Sequence, residues 1–206
     1  MAVAKAVEKL GGGRAEVLSY PEVMGALRPF GVTFARDGDV SEYSLVVAIE
    51  TPGRAADGRY YSMSGMEITR EAFDGLVIEA REYGIPTIAV GDGGNEAGMG
   101  NVRDLIELYI PLGEKIASVV EVDHLITAGV SNWGGSYGLV AHASILAGTN
   151  LLADWDEERA VKALTSAGLI DGVRKKPSES VDGIGLEVHR KVVELLKALI
   201  NDALGG

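Results

Sequence analysis

The sequence contains no cysteine and no glutamine, and only five asparagines. Without cysteine there is no disulfide framework, no thiolate zinc site, no iron–sulfur cluster and no thiol nucleophile. The shortage of thermolabile side chains matches the habit of thermophilic proteins. Positive charge is scarce as well: 19 Lys and Arg stand against 30 Asp and Glu, a formal charge of -11. That balance argues against nucleic acid as a partner, because a phosphate backbone needs a basic surface. No apolar run approaches the roughly 20 residues that span a bilayer, so no membrane partner is expected. Met1 to Leu10 shows neither the apolar core of a signal peptide nor the Arg- and Ser-rich pattern of a transit peptide, and the expected compartment is cytoplasmic.

What is present is a chain of 206 residues, the size of one domain or a domain with a small lobe. Residues 1–206 are accordingly read as a single domain. A chain of this length buries roughly 70% of its unfolded surface and needs no covalent staples. Glycine is abundant, 28 of 206 residues, about twice the usual ~7%, and it is clustered.

Three short apolar runs, Ser44–Glu50, Ile85–Gly91 and His124–Val130, have the character of parallel strands covered on both faces. Ala15–Ser19 and Val32–Ala35 are weaker strand candidates. Helical patterns separate them. Thr69–Tyr83 has a candidate N-cap at Thr69, an apolar stripe of Phe73, Leu76, Val77 and Ala80, and a stop at Gly84. Val102–Val120 is expected to bend or break near Pro111. Ser136–Leu146, Glu157–Ala167 and Leu186–Leu204 complete the set. Strands alternating with helices predict an α/β fold, a three-layer α/β/α arrangement around a mostly parallel sheet. Ligands of such sheets bind beyond the carboxyl ends of the strands.

Each of the three apolar runs is followed by a segment rich in glycine and polar residues. After the first comes Glu50–Gly58, which offers a cation in Arg54 and an anion in Asp57. Arg54 can grip a carboxylate bidentately, and Tyr60 and Tyr61 are placed to wall a pocket. After the second comes Gly91–Gly100. Its strand–loop–helix layout suggests a phosphate cradle, but Glu96 stands where a dinucleotide fingerprint has glycine, and Met99–Gly100 stands where a P-loop has Lys-Ser/Thr. Asp92 and Glu96 would repel a pyrophosphate. Two carboxylates beside Asn95 and the amides of Gly93 and Gly94 suit an ammonium group, a hard cation or general-base work. After the third run, Ser131, Asn132 and Trp133 supply a hydroxyl, an amide and an indole, a candidate oxyanion site. No Gly-x-Ser-x-Gly elbow is present. His124, His142 and His189 lie away from this rim by strand and helix position and are expected to be structural. The one local basic patch, Gly172–Lys176, lies in a long irregular stretch that could close over an anion.

The segments Ala48–Tyr61, Val90–Asn101 and Asp123–Gly134 resemble the D-glutamate cyclase family, and Ile170–Val173 and Val181–Gly183 look like its C-terminal portion. The resemblance covers most of the chain. Relative to the family pattern, the chain begins at the helix matching Ala2–Leu10, without an additional strand and loop. The resemblance implies a lyase that converts D-glutamate to 5-oxo-D-proline and water. The substrate is then a small acidic amino acid. Asp92, Glu96 and Asn132 are the candidate catalytic groups. Arg54, Asp57, Gly93, Gly94, Asn95, Ser131 and Trp133 are the candidate binding groups. No NAD, ATP or PLP is expected. A divalent cation, Mg or Mn, held by Asp92 and Glu96 and further by Asp57, is the alternative way to polarise the reacting carboxyl. Self-association into a homo-oligomer is compatible with the sequence. The alternative functions are a non-catalytic binder of an acidic amino acid and a metal-dependent enzyme acting on a related small carboxylate.

Overall fold

The structure, a computed structural model, describes residues 1–10, 13–35, 39–70 and 72–205. The chain divides into two compact units, Met1–Asp37 together with Ser136–Gly206, and Gly38–Gly135.

The first unit opens with helix α1 (Ala2–Lys9), strand β1 (Glu16–Val17), helix α2 (Pro21–Leu27) and strand β2 (Thr33–Phe34). Both strands are short, and they pair in parallel with Glu16 opposite Thr33. Pro21 occupies the first turn of α2, where its missing N–H costs nothing. Ala4, Leu27 and Val32 form a small core with Val17, Val23, Phe34 and Leu164 around it.

The second unit contains β3 (Val46–Ile49), α3 (Asp74–Glu82), β4 (Thr87–Gly91), α4 (Arg103–Tyr109), α5 (Gly113–Ile116) and β5 (His124–Thr127). The three strands form one parallel sheet in the order β3-β4-β5. Ile49 lies opposite Val90, and Gly91 lies opposite Thr127. The three expected strand runs are therefore strands, and the fold is α/β. Residues Ala48, Ala89, Ala97, Val77, Val120 and Val122 make the core on the sheet, joined by Val46, Ile78 and Leu125. Alanines on the strands let the covering helix and loops approach closely. Since all pairings are parallel, the carboxyl ends of β3, β4 and β5 share one edge.

Two helices differ from expectation. The first starts at Asp74, with Phe73 as its N-cap, rather than at Thr69. The reason is competition: Glu67 bridges Tyr61, and the Ile68 N–H donates to the Tyr60 carbonyl at 2.7 Å. This holds the chain extended just before Thr69; Glu71 lies outside the described residues. The second breaks at Ile110–Leu112, around Pro111, and ends at Ile116 rather than Val120. Beyond it Ser118 bridges Ala55, and the Val119 N–H donates to the Arg54 carbonyl at 2.9 Å.

The first unit resumes with α6 (Gly138–Ala147), α7 (Glu157–Ser166), the hairpin strands β6 (Ser180–Val181) and β7 (Ile184–Gly185), and α8 (Leu186–Ala203). α7 is capped by Asp156, whose carboxylate accepts the Arg159 N–H at 2.9 Å. α8 packs on α6 and α7 and buries His189, Val193 and Ile200. His189 is fully buried, with Nε2 within 3.3 Å of the Val181 carbonyl oxygen and 3.2 Å of the Ile184 carbonyl oxygen, a structural role. The expected long irregular stretch is organised around Asp171. That carboxylate accepts the N–H groups of Val173 and Arg174 at 2.8 Å and of Gly183 at 2.9 Å, besides the Ser180 hydroxyl. Burial pushes this carboxyl upward, but the four donors outweigh it and hold it at about 2. Among the described residues, no helix is long and apolar enough to cross a membrane.

Candidate functional site

The shared edge of the β3-β4-β5 sheet gathers three carboxylates. Glu50 directly follows β3, Asp92 directly follows β4, and Glu96 lies in the loop after it. One oxygen from each lies within 4.8 Å of the others. Each is held by the local fold. Glu50 sits in the left-handed region, φ 53°, which turns its side chain off the strand direction. A non-glycine residue there is strained, and such strain concentrates at functional sites. Glu96 is only 5% exposed. Its two oxygens accept the N–H groups of Gly93 at 3.0 Å and Gly94 at 2.7 Å. The turn that aims those amides needs Gly94: φ is 119°, and a Cβ would stand 2.7 Å from Ile106 Cγ2. The loop is further fixed by the Gly53 N–H to the Asn95 carbonyl at 2.9 Å and the Ala97 N–H to the Thr51 carbonyl at 2.8 Å.

Ser131, beyond β5, ties the edge together. Its hydroxyl donates to Glu50 Oε1, and its N–H donates to Asp92 Oδ2 at 3.1 Å. It is itself 1% exposed. A π-helical turn, Asn132–Tyr137, follows it; such turns recur at functional sites. Asn132 and Trp133 open this turn, and the Trp133 N–H donates to the Val130 carbonyl at 3.0 Å. The turn presses on the central strand: a Cβ at Gly135 would lie 1.8 Å from Val90 Cγ1, so only glycine fits.

Neither Asp92 nor Glu96 makes an ion pair among the described residues. Like charges this close repel one another. A positive group among them, an ammonium or a hard cation, would remove that cost. The donor set is all carboxylate oxygen, which fits Mg or Mn rather than a metal favouring nitrogen or sulfur.

Of the residues singled out from the sequence, the structure brings Asp92, Glu96 and Ser131 together, with Asn132 and Trp133 next along the chain. Others are committed elsewhere. The amides of Gly93 and Gly94 are taken up by Glu96 and serve it rather than a ligand. The Asn95 side chain donates to the Tyr61 carbonyl at 2.6 Å. Asp57 accepts the Tyr61 hydroxyl at 2.6 Å and the Arg59 N–H at 3.0 Å, which hold its carboxyl below the usual range. It is not among the three clustered carboxylates; Glu50 takes the third place.

Arg54 is likewise engaged away from the trio. Its Nε donates to Asp74 Oδ2 at 2.8 Å and its Nη2 to Oδ1 at 3.2 Å. Asp74, fully buried, also accepts the Arg54 N–H at 3.1 Å and the Tyr60 hydroxyl at 2.8 Å. Burial pushes Asp74 upward, but Arg54 and Tyr60 outweigh it and the carboxyl stays below its usual range; the same pair raises Arg54. Arg54 lines a groove of about 720 Å³ with Arg81, Pro86 and His124, and none of the three carboxylates lines it. Pro86 and His124 sit at the amino ends of β4 and β5. The hydroxyls of Tyr60 and Tyr61 bind Asp74 and Asp57. The residue missed from the sequence is Glu50. Its signal was its place as the last residue of an apolar run, at the rim where ligands bind.

The family described as D-glutamate cyclase-like, C-terminal, matches residues 1–197. The chain belongs to this family. It is also 44% identical over 113 residues to human "D-glutamate cyclase, mitochondrial", a stretch that spans 53% of this chain and 18% of the human protein.

Proposed function

We propose that this member of the D-glutamate cyclase-like family closes D-glutamate to 5-oxo-D-proline and water. The observation that carries the reading is the convergence of Glu50, Asp92 and Glu96 on one sheet edge in a chain of this family. In the reaction the amine nitrogen bonds to the γ-carboxyl carbon and a carbon–oxygen bond breaks. Two protons leave nitrogen and end on the departing oxygen, so the reaction needs no outside reductant, oxidant or phosphoryl donor.

The ammonium form cannot attack. A carboxylate of the trio binds it through charge-assisted hydrogen bonds, and Asp92 or Glu96 accepts its first proton. The same group then returns that proton to the departing oxygen and relays the second nitrogen proton to it as the carbon–oxygen bond breaks, so that water leaves. The Asn132 amide, next along the chain from Ser131, is the donor assigned to the tetrahedral oxyanion in this reading. Holding amine and carboxyl in a curled conformer replaces an entropy loss that can reach several kcal/mol. A divalent cation held by Glu50, Asp92 and Glu96 would supply Lewis-acid polarisation of the γ-carboxyl.

Chiral chromatography of D-glutamate incubated with wild type and with Glu96→Gln tests the reading. Wild type is expected to form 5-oxo-D-proline, and the variant about 10²- to 10⁴-fold less. Equal turnover removes Glu96 from the mechanism. Thermal stabilisation by D-glutamate without any turnover would replace catalysis by binding.

A further inference from the structure

The geometry points to Ser131 as a positioning residue that acts through Glu50, an assignment that rests on the cyclisation reading above. A serine at a strand-to-helix turn beside carboxylates invites a direct role on substrate, as an oxyanion donor. The structure assigns it differently. Ser131 is 1% exposed, less than any carboxylate of the trio, so its hydroxyl is the group least open to a ligand arriving from solvent. Its one hydroxyl proton is given to Glu50 Oε1. Its N–H is given to Asp92 Oδ2 at 3.1 Å. The residue therefore joins carboxylates that leave two different strands, β3 and β4, from a segment beyond a third, β5.

Glu50 is the carboxylate this hydroxyl holds. It follows its strand in a left-handed conformation, φ 53°, with a carboxylate within 4.8 Å of those of Asp92 and Glu96. Strain and like-charge repulsion both push it toward other conformers. The Ser131 hydroxyl opposes both by fixing Oε1. Glu96 has its own two amide donors and does not depend on Ser131. The side chain of Ser131 thus serves Glu50 alone, while its main chain serves Asp92. A side-chain substitution separates the two tasks.

The test is a double-mutant cycle with Ser131→Ala, Glu50→Gln and the double variant, read in kcat and KM for 5-oxoproline formation and in urea unfolding midpoints. Ser131→Ala is expected to lower kcat about 10- to 100-fold, the scale of a small misplacement of a reacting group, with KM for D-glutamate little changed. The double variant is expected to match Glu50→Gln alone, because a residue acting through Glu50 has nothing left to position. Ser131→Thr, which keeps the hydroxyl, is expected to recover most of the rate. Multiplying losses in the double variant would overturn the assignment and return Ser131 to direct work on the substrate. If wild type forms no 5-oxoproline, the cyclisation reading fails on its own. The unfolding cycle then still decides whether Ser131 and Glu50 are coupled, additive midpoints counting against it.

Discussion

The two ends of the β3-β4-β5 sheet treat their carboxylates in opposite ways. At the amino end, Asp123 precedes β5 and closes on Thr87, the first residue of β4. Asp123 Oδ2 accepts the Thr87 N–H at 2.8 Å and the Thr87 hydroxyl at 2.9 Å, and the Asp123 N–H donates to Thr87 Oγ1 at 3.0 Å. The Thr87 hydroxyl first, and then its N–H, hold Asp123 below the usual carboxylate range. That end is a closed polar clasp made with neutral donors. At the carboxyl end three carboxylates face one another, with main-chain amides and the Ser131 hydroxyl among their donors. The clasp contributes to stability. The trio gathers negative charge at one edge, where on the proposed reading a cation is bound. On that reading the contrast is the usual exchange between stability and function, within strands only a few residues long.

The sharpest way to break this comparison is Asp92→Asn. The amide keeps an acceptor for the Ser131 N–H but removes a charge from the trio. kcat/KM for 5-oxoproline formation is expected to fall about 10²- to 10⁴-fold, while the thermal midpoint holds or rises. A drop in midpoint without loss of activity would mean that the trio is a structural device. Next in size is Thr87→Val. It leaves the Asp123 N–H without its acceptor and one carboxylate bond unmade at a fully buried threonine. Stability is expected to fall by about 1–3 kcal/mol in urea titration, with kcat unchanged in the folded fraction. A comparable loss of kcat would show that the two ends are coupled through β4.

The smallest effect is in acid. Asp123 has a folded pKa below its ordinary 3.8, so its contribution is present above that ordinary value and is lost as pH falls through the folded one. The wild type is expected to lose stability below about pH 4, and Asp123→Asn is expected to lose less over that interval. Identical acid limbs in the two proteins would remove the clasp from the acid response. Near neutral pH the carboxylate is ionised whether the chain is folded or not, so no slope from Asp123 is expected there.

Much of this was legible in the sequence. The apolar runs around Val46, Ile88 and Leu125 are strands, short and rich in β-branched residues as paired parallel strands are. Parallel pairing then brings the loops that leave these strands to one edge, which is why Asp92, Glu96 and Ser131 meet. Pairing within that edge was not legible. Whether Arg54 reaches a ligand or a buried aspartate depends on Asp74, 20 residues away and at the start of a helix. The Thr69 cap failed for a similar reason, because backbone pairing of Tyr60 with Ile68 outcompeted a local cap. Glu50 looked like the end of a strand, and its left-handed turn cannot be read from residue type. At Arg54 and at Thr69 a local preference was overridden by a partner outside the segment that expressed it.

The backbone at Glu50 has a practical consequence for anyone improving this protein. Left-handed positions are most comfortable for glycine and asparagine. A library screened only for yield or heat resistance would therefore drift toward those residues at position 50. On the proposed reading, the selected clones would gain a relaxed bend and lose one of the three clustered carboxylates, and only an activity assay would reveal the exchange.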